Sequence, residues 1–118
     1  VFQHLTSLAF LNLCTNELGV EGMRILGPEL HHVTSLTSLD LGDNHLGDEG
    51  VAMLSSGLKY LTCLSTLNLS FNQIKVEGMK RLALAFQDLT FLTSLDLSWN
   101  DIKVEELRIL APALQHLT

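Results

Sequence analysis

The sequence predicts an α/β solenoid, a curved horseshoe segment with a parallel β-sheet on its concave face and helices on its convex face. Three observations predict it. Leucines recur every 28 residues, at Leu8, Leu36, Leu64 and Leu92. Each copy opens on the pattern L-x-x-L-x-L-x-x-N-x-L, with Ile in the last place twice, as "LAFLNLCTNEL", "LTSLDLGDNHL", "LSTLNLSFNQI" and "LTSLDLSWNDI". Each copy then changes period, because its second half ("VEGMRILGPELHHV", "DEGVAMLSSGLKYL", "VEGMKRLALAFQDL", "VEELRILAPALQHL") carries apolar residues at helical spacing.

The opening of each copy predicts a short strand. Alternation places Leu39 and Leu41 on one face and Ser38, Asp40 and Gly42 on the other. In the second half, Leu54, Leu58 and Leu61 share one stripe of a helix of roughly three turns. One strand and one helix are too few to bury their apolar faces alone, so the copies must stack. Parallel strands sit about 4.8 Å apart and packed helices about 8–10 Å apart, so the stack bends with the sheet inside. The expected organisation is a single array with the tail of a preceding repeat at 1–7 and repeats at 8–35, 36–63, 64–91 and 92–118, a fragment of a longer array.

Other columns predict structural roles. Asn16, Asn44, Asn72 and Asn100 close each strand, where a buried amide can bond the backbone of its own and adjoining turns. Gly22, Gly50 and Gly78 enter the helix where its backbone packs closely on the turn, and Glu106 takes that place in the last copy. Pro28 and Pro112 remove an amide donor late in the helical half, which predicts a break or tightened turn. Met23, Val51, Met79 and Leu107 form a packing column. His4, His32 and His116 share a convex column with Tyr60 and Asp88; one repeat separates neighbours in it, roughly 10 Å, too far for a shared metal.

The stretches "DLGDNHLGDEGVAMLSSGL" and "DLSWNDIKVEELRILAPAL" resemble the ribonuclease-inhibitor-like subclass of leucine-rich repeats, and the resemblance spans essentially the whole chain. That subclass includes ribonuclease inhibitors, the repeat regions of NOD-like receptors and the Ran GTPase-activating protein. The resemblance implies repeats of 28 or 29 residues with a full convex helix and a protein-binding role, with innate immunity as one setting. It does not choose among functions, which reside in sites and not in folds.

Composition narrows the partners. At 47% hydrophobic with a net charge of −6 and seven Lys and Arg, the chain lacks the electrostatic footprint of a nucleic-acid binder. No uncharged apolar run reaches membrane-spanning length, and "VFQHLTS" has neither the basic start nor the apolar core of a signal peptide. Phosphate-loop, dinucleotide, zinc-protease and hydrolase-elbow motifs are all missing, and no cofactor is expected. Cys14 and Cys63 fall in different columns, so the expectation is two unpaired thiols and a cytoplasmic setting. Cys14 has no histidine in the strand columns to serve as its base.

Binding is therefore expected on the concave face. One outward column reads Asn12, Asp40, Asn68, Asp96; the next reads Cys14, Gly42, Ser70, Ser98; and its neighbour reads Thr15, Asp43, Phe71, Trp99. Trp99 and Phe71 in adjacent repeats form an aromatic anchor, with Asp40, Asp43, Asp96 and Asp101 meeting basic groups on a protein partner. The alternatives are a GTPase-activating scaffold, for which no basic residue in the concave columns offers an arginine finger, and a purely architectural segment. Apolar residues at either end, Phe2, Leu5, Leu114 and Leu117, add an expectation of self-association.

Overall fold

The computed structural model of the chain describes residues 7–115. The expected preceding-repeat tail, apart from Ser7, and the residues Phe2, His4, Leu5, His116 and Leu117 lie outside that range. Strands β1 (Phe10–Asn12), β2 (Ser38–Asp40), β3 (Thr66–Asn68) and β4 (Ser94–Asp96) alternate with helices α1 (Gly19–Glu29), α2 (Gly47–Leu58), α3 (Val76–Phe86) and α4 (Val104–Ala113). The strands form one parallel sheet in chain order, and each residue pairs with the one 28 positions on, as in Leu39 with Leu67. The architecture is an α/β repeat solenoid.

The core is built in rows that run across the repeats. Leu39 and Leu67 from the strands are fully buried, as are Leu41, Leu69, Leu46 and Ile74 from the turns that follow. Helical residues Leu54, Leu58, Leu82 and Phe86 meet them from the other layer, and Leu61, Leu64 and Leu89 close the return turn. Equivalent residues in the outer repeats, such as Leu11, Leu13, Leu95 and Leu97, are only half-buried, because each is covered from one side. Burial therefore depends on having a neighbour in the stack, as expected for a repeat that cannot close its own core.

The helices approach closely where side chains are small. A Cβ on Gly57 would lie 2.4 Å from the Gly27 carbonyl oxygen, and one on Gly27 would lie 2.8 Å from that of Met53, so α1 and α2 touch backbone to backbone there. At the helix entries, a Cβ on Gly78 would lie 2.6 Å from Asp48 Oδ1. Glu106 solves the same place differently: it is buried, and its Oε1 accepts a hydrogen bond from the Lys103 amide at 2.9 Å, which is the acidic half of a capping box. After Pro28, α1 gives way to a 3-10 turn at Leu30–His32, whereas α4 runs through Pro112 and ends one residue later.

One packing expectation needs correcting. Met23, Val51 and Met79 are fully buried, but Leu107 is 57% exposed. Met23 is covered from the next repeat, whose Gly50 abuts its Cγ, and among the described residues nothing packs on that side of α4.

This row arrangement makes a quantitative expectation. Leu41→Ala and Leu69→Ala should each lower unfolding free energy by about 2–5 kcal/mol, and exposed Thr66→Ala by less than about 0.5 kcal/mol. Chemical denaturation measures all three. A Leu69→Ala variant as mild as Thr66→Ala would place β3 one residue out of register.

Candidate functional site

The site lies where each strand ends and the chain turns toward its helix. The turn begins with a side chain bonding backbone two residues on: Asn12, Asp40, Asn68 and Asp96 accept through Oδ1 from the amides of Cys14, Gly42, Ser70 and Ser98 at 2.9–3.0 Å. This is an Asx turn, which Asn and Asp make more strongly than Ser or Thr. Inter-repeat pairing continues past it, since Thr15, Asp43 and Phe71 donate to the carbonyls of Gly42, Ser70 and Ser98 at 2.8–3.0 Å.

Next comes the asparagine ladder. Asn72 Oδ1 accepts from the amides of Asn44 at 3.0 Å and Leu46 at 3.3 Å, while its Nδ2 donates to the carbonyls of Leu41 at 2.8 Å and Ser70 at 3.0 Å. Asn44 and Asn100 make the same inter-repeat contacts. Asn44 and Asn72 are fully buried, Asn100 is half-buried, and Asn16 is exposed, because no described repeat lies before it.

Residues flanking each asparagine take left-handed backbone. Thr15, Asp43, Phe71 and Trp99 have φ of 54–59°, and Glu17, His45 and Gln73 have φ of 51–59°. Non-glycine residues are uncommon there, and bulky ones more so. Phe71 and Trp99 nonetheless occupy two of these positions in adjacent repeats. Their rings stack with centroids 5.2 Å apart and planes inclined by 14°, and Trp99 is 74% exposed and Phe71 49%. The pair therefore forms a raised platform on the rim of the sheet, beyond the C-terminal ends of β3 and β4, and not on the strands themselves.

The acidic residues are not all gathered around it. Asp43 is exposed and stands in the same row as Phe71, one repeat away. Asp40 and Asp96 lie one level down at their strand ends, two repeats apart, each engaged in its own turn. Asp101 sits beyond Asn100 on the loop to α4, with its carboxylate 3.8 Å from Lys103 Nζ. The Asx turns of Asp40 and Asp96 and the Lys103 pair of Asp101 reduce the freedom of these carboxylates to meet basic groups on a partner.

Two exposed aromatics escaped the sequence reading. Phe10 projects from β1 in the row of Ser38, Thr66 and Ser94, and Phe91 stands in the turn before β4 beside Cys63. Reading those columns across the repeats would have revealed both, as a large apolar residue among small polar ones. Among the described residues Cys14 and Cys63 are free thiols, and no group of His, Cys, Asp or Glu is placed to hold a metal.

Asp96 illustrates the electrostatics of the rim. The Ser98 hydroxyl at 2.6 Å, and then the Ser98 amide, hold its carboxyl below the usual aspartate range. A depressed folded-state pKa stabilises the fold above the unfolded value, and that contribution is lost as pH falls through the folded value. In an NMR titration the Asp96 midpoint should lie below that of ordinary aspartates, and Ser98→Ala should raise it. An unmoved midpoint would show that the hydroxyl bond does not form.

The geometry is that of a known repeat class. Among curated proteins no sequence match was found. A solved structure described as "Leiomodin-1 Actin-Binding Site 2 (ABS2)" superposes with a TM-score of 0.77 at 18% identity, over 98% of this chain and 66% of that one. The chain thus spans just under two thirds of that relative's length, and the likeness speaks for the fold alone. An internalin from Listeria monocytogenes aligns over 99% of this chain and 42% of its own at 22% identity, with a TM-score of 0.36, too low to bear on the fold. The family model described as "Leucine Rich repeat" matches residues 32–55, 60–83 and 88–105, more than half of the chain. With its 28-residue register and asparagine-closed strands, the chain belongs to the leucine-rich repeat family.

Proposed function

We propose that the chain is a non-enzymatic protein-recognition module that docks its partner on the concave rim, with Trp99 and Phe71 as anchors. The observation that carries this reading is the stacked, exposed aromatic pair at positive-φ positions. Asn or Gly would sit there with less strain, so the fold gains little from aromatics at those two places. Large exposed apolar rings in a polar surround have the character of a binding hot spot.

Asp43, in the same row, is the carboxylate best placed to meet Lys or Arg on the partner. Asp40 and Asp96 shape the turns and contribute field, and Asp101 does so after separation from Lys103. The leiomodin structure, described as an actin-binding site, is an instance of a protein partner on this fold. The 28-residue step and helices of 10–12 residues in every repeat support a place in the ribonuclease-inhibitor-like subclass.

Trp99 is the chain's single tryptophan, so its fluorescence reports on this site directly. Proteins captured by the chain should be titrated against it, and a docked partner should shift the emission to the blue. Trp99→Asn should weaken binding by about 30-fold or more, the scale of a hot spot. Its stability should stay within about 1 kcal/mol, because relief of the left-handed strain offsets the lost ring stack. Full affinity in Trp99→Asn, with binding abolished by Lys80→Glu or Arg108→Glu on the convex face, would move the site to the helices.

A further inference from the structure

The convex face carries a second feature, of opposite charge to the rim. Most cations of the chain are already paired: Arg24 with Glu21, Lys80 with Glu77, Lys103 with Asp101 and Arg108 with Glu105, at 3.2–3.8 Å. Lys75, Lys59 and Arg81 have no such partner among the described residues, and the last two come together. Both line one groove of about 260 Å³ between α2 and α3. The same groove is lined by Ser55, whose Oγ is buried without a hydrogen-bond partner. Ser55 and Lys59 are four residues apart on one face of the helix and its C-cap, and Arg81 meets them from the neighbouring repeat. A buried hydroxyl without a partner is costly, and two unpaired cations beside it are unusual in a chain of net charge −6.

We propose that this groove binds a phosphate monoester carried by a segment of a partner protein. Two cationic donors line it, the Arg81 guanidinium and the Lys59 ammonium, and a phosphate monoester, with a charge of about −1.5 to −2, matches two cations where a single carboxylate does not. A peptide is a better occupant than a free ion because the groove continues. Lys59 and Ser56 also line the adjoining groove of about 480 Å³ between α1 and α2, which is flanked by His31 and Tyr60. That gives a docked segment aromatic surface next to its charge. Lys59 Nζ already lies 5.4 Å from the centre of the Tyr60 ring, which holds the cation on the ridge between the two grooves. Asp88 is the single opposing charge in the lining and makes no ion pair with either cation.

NMR titration of the full chain tests the proposal with four probes: a short alanine- and tyrosine-containing peptide bearing one phosphoserine, its unphosphorylated twin, the same peptide with Glu in that place, and inorganic phosphate. The phosphopeptide should bind saturably, shifting the amides of Ser55, Lys59 and Arg81. Arg81→Glu and Lys59→Glu should each weaken it at least tenfold, Asp88→Asn should tighten it severalfold, and Lys80→Glu on the same face should change it less than twofold. Circular dichroism of the variants checks that these exposed helix positions leave the fold intact. No saturable shift, or equal losses in Lys80→Glu and Arg81→Glu, would overturn the site. Equal binding of the Glu peptide would overturn the phosphate, and equal binding of inorganic phosphate would overturn the peptide. Trp99→Asn should leave all of these affinities unchanged, so this site and the rim fail or stand separately.

Discussion

The side-chain amide of Asn72 serves four backbone groups, three of them in the preceding repeat: it accepts from Asn44 and Leu46 and donates to Leu41 and Ser70. Those groups lie in a turn that is buried between leucine rows, where water cannot replace a missing partner and each orphan costs about 1–3 kcal/mol. The same amide fixes both the turn within a repeat and the register between repeats. Leucine burial supplies the driving force, but it is satisfied by many arrangements, whereas four hydrogen bonds from one planar group are satisfied by very few. The rest of the structure depends on that constraint. The 28-residue step, the continuation of the ladder past the strands and the direction in which each helix leaves all follow from where the asparagine must sit.

A turn held this firmly can tolerate strain beside it. The residues on either side of each asparagine adopt left-handed backbone without glycine, in every repeat at the first position and in three at the second. Such conformations persist only where the surroundings over-determine them. The identity of the side chain at the first position is then free to vary, and it does: Thr15, Asp43, Phe71, Trp99. Scaffold and surface are separated to this extent, with the amide and the leucines setting the backbone while the rim positions carry whatever chemistry a partner requires.

The scaffold was legible in the sequence because its determinants repeat. Four copies of each column separate a requirement from an accident, and that is how Leu39, Asn44 and the strand–helix switch could be read without coordinates. Features that occur once were less legible. The Phe71–Trp99 stack was foreseen as a pair, since adjacent copies of one column are adjacent in space, but its place on the rim depends on φ, which no periodicity encodes. The column of Asn12, Asp40, Asn68 and Asp96 was read as surface charge, whereas its common property is an oxygen that reaches the amide two residues on; the appearance of Asn in half the places was the available signal. Leu107 shows the converse limit, a residue in a core column that is exposed because burial in a solenoid is supplied by the next repeat. The convex groove was invisible in sequence because it joins Ser55 and Lys59 to Arg81 across two helices, in three different columns.

Native-state hydrogen exchange on the full chain and on Asn72→Ala tests the central dependence most directly. If the amide fixes the turns, protection at the amides of Asn44 and Leu46, which donate to Asn72 Oδ1, should fall by more than the global loss of stability measured at core-strand amides such as Leu67. Protection at Asn44 and Leu46 that falls only in step with Leu67 would contradict the account, because the leucine rows would then be holding the turns without the ladder.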